Sequence, residues 1–83
     1  MTITLSKQAV KTLQGMDAAT KQRIRQGILS IPQGDIKPMQ GFSDGRQRLR
    51  IGKYRVVFLY VTDQDGNQGL HVIDIGSRGD IYK

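Results

Sequence analysis

The sequence predicts an α+β fold of order β-α-α-β-β-β, in which a two-helix hairpin packs on a small, mostly antiparallel sheet. Three observations predict it. Apolar residues recur at helical spacing through the first third of the chain and at a period of two through the second half. Both candidate helices open on a capping residue and close on a breaker. A polar turn separates the last two apolar strands, which is the mark of a hairpin.

Residues 2–5 alternate around Ile3 and Leu5 and read as a short strand. Ser6 is placed to cap a helix, since its hydroxyl can accept from an amide of the first turn. Ala9, Val10 and Leu13 then recur at helical spacing, and Gly15 ends the helix. Asp17 is a second N-cap, followed by an apolar stripe of Ile24, Ile28, Leu29 and Ile31 before Pro32 stops the run. Gln33–Gly45, with Gly34, Pro38, Gly41 and the Asp44-Gly45 pair, reads as loop. Arg46–Ile51 alternates charged and apolar residues, as a half-buried strand does. Gly52-Lys53 is a tight connection into Tyr54–Val61, whose apolar residues on both faces suit a central strand. The Asp65-Gly66 turn leads to a last strand, Leu70–Ile75, and a tail closing on Ile81-Tyr82-Lys83.

A chain of 83 residues is expected to form one domain, residues 1–83, that buries only about 60% of its unfolded surface, so every element must contribute to the core. With no cysteine there is no disulfide framework and no thiolate zinc site. No apolar run reaches the roughly 18 residues that span a bilayer, and Met1–Leu5 lacks a basic leader. A cytoplasmic, membrane-free protein is expected. Thirteen Lys and Arg against seven acids, all aspartate, give a net charge of +6. A small domain this basic attracts polyanions.

Where the charges fall sharpens this. A spacing of two puts Arg46, Arg48 and Arg50 on one strand face. Neighbouring guanidinium groups repel, and they match phosphate oxygens in bidentate geometry. Two readings follow: an anion-binding row, or a solvated face partnered by Asp44 or Asp74. Arg55 lies in the most apolar strand, on the face of Val57 and Leu59, where an arginine needs a partner or a ligand. Either an ion pair with Asp74 or a bound anion would hold it. If the last two strands pair across Asp65-Gly66, Arg78 approaches Arg55. Tyr82 could stack on a base or anchor the tail. His71, alone of its kind, is left outside the site. One histidine and no cysteine allow neither a nucleophilic triad nor a histidine-rich metal centre. No phosphate loop with its lysine is present, and no cofactor is expected.

The stretch from Arg48 to Phe58 (RLRIGKYRVVF) and that from Val72 to Tyr82 (VIDIGSRGDIY) resemble the RelE/ParE-like toxins of type II toxin–antitoxin systems. The motifs cover Arg46–Lys83, and the helices agree in order. The resemblance implies a RelE-like microbial RNase fold. It also implies a translation inhibitor that enters the ribosomal A site and cuts mRNA without a metal, the substrate 2′-OH attacking the adjacent phosphate. Arg48, Arg55, Arg78 and Tyr82 are the implied catalytic residues, with Arg46, Arg50, Lys53 and Lys83 contacting RNA. The implied partners are a cognate antitoxin, the ribosome and mRNA. The RelE proteins carry lysines where this chain has Arg46 and Arg48, and arginine, with a pKa above about 12, is a poor proton carrier. Asp80, Tyr82 and Lys83 are the nearby alternatives. The superfamily's ParE-like branch, which poisons DNA gyrase by binding, is the alternative function.

Overall fold

A computed structural model describes residues 2–77. Strand β1 spans Thr2–Leu5, helix α1 Lys7–Gln14 and helix α2 Ala18–Leu29. Strands β2 (Asp35–Pro38), β3 (Gln47–Ile51), β4 (Tyr54–Thr62) and β5 (Gln68–Ser77) follow. They form one five-stranded sheet ordered β1-β5-β4-β3-β2, antiparallel except where β1 runs parallel to β5. The architecture is the expected α+β one.

The caps act as expected. The Ser6 hydroxyl accepts from the Ala9 amide, and Asp17 accepts from the Thr20 amide, each meeting an N–H that a helix start leaves open. Ser6 Oγ also donates to the Ile73 carbonyl, tying the start of α1 to β5. Helix α1 packs on β5 and β1, and α2 on β3. Ile24, Ile28 and Ile31 fill the core at helical spacing with Ala9, Leu49, Val56, Phe58, Leu70, Val72 and Ile75. Leu29 does not belong to that stripe. One residue beyond Ile28, it is turned about 100° off the buried line and stays 69% exposed.

Two features depart from the expected elements. The segment read as loop contains β2, an edge strand that pairs Ile36 with Leu49 and buries part of the Ile36 side chain. Its four residues end at Pro38, and a strand so short carries too little alternation to read. In β5, Val57 pairs with Asp74 while Phe58 pairs with Val72, so Ile73 is the extra residue of a bulge. The bulge shifts the side-chain parity by one. Val72 and Ile75 therefore both face the helices, and Asp74 turns to the other side of the sheet.

Candidate functional site

The helices cover one face of the sheet, and cross-strand register fixes what the opposite face carries. Residues directly opposite in a ladder share a face. Arg50 is opposite Asp35 on β2 and Arg55 on β4, and Arg55 is opposite Gly76 on β5. The next row holds Lys37, Arg48, Val57 and Asp74. Three arginines and a lysine thus fall in two neighbouring rows, with Asp35 and Asp74 at the margins.

Arg55 is the unusual member. It is only 6% exposed, and its Nε makes no hydrogen bond among the described residues. Its Nη1 donates to the Tyr54 carbonyl at 3.2 Å. Among the described residues no carboxylate pairs with it. Asp74, the partner weighed from sequence, instead accepts from the Ile75 amide through Oδ1 at 2.9 Å. A buried guanidinium without a counter-charge is costly unless an anion completes it. The ion pair weighed for Arg55 is thus not formed among the described residues.

Arg46 sits differently. It precedes β3, although its carbonyl still accepts from the Met39 amide and so extends the β2–β3 ladder. Its Nε donates to Asp44 Oδ1 at 3.1 Å and its Nη2 to Asp44 Oδ2 at 2.7 Å. The guanidinium also lies over the Phe42 ring, 4.1 Å from the centroid. This bonding holds the Asp44 carboxyl below its usual value and raises Arg46 further, with the side-chain contact as the leading cause of each. The solvated-face reading, with Asp44 as partner, therefore describes Arg46. Phe42 is the residue that sequence reasoning missed. It lies outside both motifs and both apolar periods, and only the ring's contact with Arg46 draws attention to it.

Lys53 follows Gly52, whose φ of 58° makes the two-residue β3–β4 turn. Its ammonium lies 5.4 Å from the Tyr54 ring centroid. Beside this turn a polar cleft of about 420 Å³ runs past the edge of β5 beyond the end of β1, lined by Gln8, Thr12, Lys53, Tyr54, Asp74 and Ser77 among others. His71 lies away from the arginine rows, opposite Leu59, with Nδ1 2.9 Å from Thr4 Oγ1. Arg78, Asp80, Tyr82 and Lys83 lie outside the described residues, but the register carries β5 up to the arginines, with Gly76 opposite Arg55. Among the described residues no cluster of metal ligands occurs, and no helix is long and apolar enough to cross a membrane.

A helix pair over one face of such a sheet is the fold of solved RelE- and ParE-like toxins, to which the chain is similar over nearly its whole length. Particular structures bear this out. The archaeal RelE–RelB complex from Pyrococcus horikoshii matches with a TM-score of 0.66 at 25% identity, over 95% of this chain and 96% of that one. The YoeB/ParE toxin from Agrobacterium tumefaciens matches with a TM-score of 0.74 at 20% identity, over 94% and 99%. The isolated E. coli RelE toxin gives 0.58 at 19% identity, over 98% and 89%. No protein-family model and no curated protein matches the chain.

Proposed function

We propose that the chain is the toxin of a type II toxin–antitoxin pair, a ribosome-dependent endoribonuclease that cleaves mRNA in the A site and so stops translation. The observation that carries this reading is Arg55, buried with an unmet Nε directly opposite Arg50 on the sheet face away from the helices. Like charges placed opposite one another destabilise a ladder, and a phosphate between them reverses the sign.

In the proposed reaction the substrate 2′-oxygen attacks the adjacent phosphorus and loses its proton. The bond from phosphorus to the 5′-oxygen breaks, and that oxygen gains a proton. The products are a 2′,3′-cyclic phosphate and a new 5′-OH. Arg55 and Arg48, joined by Arg78, stabilise the negative charge that develops on the non-bridging oxygens, and they do so from fixed positions that need no reorganisation. Arg50 and Lys53 hold the flanking backbone, and Tyr82 stacks on or orients the attacked nucleotide. Guanidinium groups keep their protons, so proton transfer belongs to other groups, among them Asp80, Tyr82, Lys83 or the ribosome itself. The protein would act in the cytoplasm. A cognate antitoxin, acidic or amphipathic, would silence it by covering this face or by displacing an element from it.

The test is a cell-free translation reaction with primer-extension mapping of mRNA ends, with and without ribosomes, and with Arg55→Ala and Arg78→Ala variants alongside. Ribosome-dependent cuts within codons, lost in both variants, are expected. Intact mRNA with normal protein synthesis would overturn the reading, and a gyrase cleavage assay would then examine the ParE-like alternative.

A further inference from the structure

We infer that Phe42 and Arg46 form a base-stacking platform for a single-stranded RNA nucleotide flanking the phosphate held by Arg50 and Arg55. The inference rests on the reading of the arginine face as an RNA site, and it gives Arg46 a role different from that of its neighbours.

Three facts carry it. Phe42 keeps 47% of its surface exposed although one face of the ring meets the Arg46 guanidinium. Asp44 grips the edge of that guanidinium through Nε and Nη2, which fixes its plane and offsets its charge. The two Nη1 hydrogens make no part of the Asp44 contact and remain available as donors. A cation held this way is a weaker phosphate ligand than Arg50 and a better flat surface. Unpaired bases bind such surfaces, by stacking on aromatic rings and guanidinium planes and by hydrogen bonding at their edges.

Position supports the same conclusion. Strands rise about 3.3 Å per residue, so Arg46 stands roughly 13 Å along the sheet from Arg50. The loop ahead of β3 thus places the platform at one end of the arginine rows, where a strand crossing the sheet would present a neighbouring base. Phosphate contacts fix a nucleic acid in register, whereas base contacts carry preference. The platform is therefore where this chain would discriminate among nucleotides.

Binding of two probes tests this without reliance on cleavage. One is a short single-stranded RNA blocked by a 2′-deoxy substitution; the other is inorganic polyphosphate, a polyanion without bases. Phe42→Ala is expected to weaken RNA binding about five- to tenfold and to leave polyphosphate binding unchanged, while Phe42→Tyr restores RNA binding. Thermal melting of the variants checks that they are folded. RNA binding by Phe42→Ala equal to that of the parent overturns the platform, as does equal loss on both probes, which would make Phe42 a prop for the loop. A change seen only in binding of a protein partner also overturns it. Failure of the underlying site looks different: the parent protein would then bind neither probe, or Arg55→Ala would bind RNA as tightly as the parent.

Discussion

Arg50 on β3 and Arg55 on β4 stand directly opposite each other in the antiparallel ladder, and Arg55 is the buried one of the two. Opposed cations weaken a sheet, and a guanidinium removed from water without a counter-charge weakens it more. The two strands tolerate this pair at the centre of the sheet, where an aliphatic residue would fit at less cost. On the proposed reading, stability and function are set against each other at this point.

Replacing the buried cation should separate the two. Arg55→Met is expected to leave the protein at least as stable in urea, by up to about 1 kcal/mol, because an unmet donor and a like-charge contact both disappear. The same change is expected to cut mRNA cleavage about 10²- to 10³-fold, the usual cost of losing one donor to a developing oxyanion. A variant that is less stable than the parent would reveal a partner for Arg55.

Salt dependence should distinguish the arginines. For single strands, log K falls with log salt by about 0.7 per phosphate neutralised. Arg50→Ala is expected to reduce that slope by about 0.7. Arg46→Ala, whose charge Asp44 already meets, should reduce it by clearly less. Equal slopes in titrations of RNA at several salt concentrations would contradict the division of roles between them.

The edge of the sheet is tightly built at Gly69. A Cβ there would lie 2.7 Å from the Thr2 carbonyl oxygen, a backbone atom that cannot turn aside. Gly69→Ala should therefore push β1 off β5 and cost about 1–3 kcal/mol in chemical denaturation. Gly27→Ala meets the far end of the Ile51 side chain instead, so a smaller loss is expected there.

Acid should loosen the start of α2 through Asp17. Its carboxylate is held below the ordinary value, chiefly by the Thr20 side chain and then by the Thr20 amide. A carboxyl whose folded pKa is depressed adds stability above its unfolded value, near 4, and loses it as the pH falls through the folded value. Asp17→Asn, which keeps a capping oxygen, should flatten the fall in melting temperature below about pH 4. Parallel curves for parent and variant would show that the cap contributes nothing through its charge.

Much of this was legible from the residues. Ser6 and Asp17 marked both helix starts because capping is a local matter of one side chain and one amide. The helical period found Ile24, Ile28 and Ile31, and the two-residue period put Arg48 and Arg50 on one face, which the ladder register shows Arg55 to share. The rest depends on which segments meet. Strand β2 exists because Ile36 finds Leu49, and Pro38 and the glycines around it read as loop when taken alone. The bulge at Ile73 has no local signature, yet it decides which way Asp74 faces. Arg46 shares the spacing of Arg48 and Arg50, but spacing cannot show that Asp44 and Phe42 already hold it.

The parallel pairing of β1 with β5 joins the first residues of the chain to some of its last, Thr4 reaching Leu70 and His71 across the sequence. Contacts this distant form late, because the intervening loop must close first. During synthesis the β3–β4 hairpin can form before β5, which supplies the neighbour of Arg55, and β1 can dock only after β5. The row that holds Arg55 is therefore complete only once β5 has joined the sheet. The face that carries the arginines is thus finished after the strands that bear them have formed, a delay written into the order of the strands.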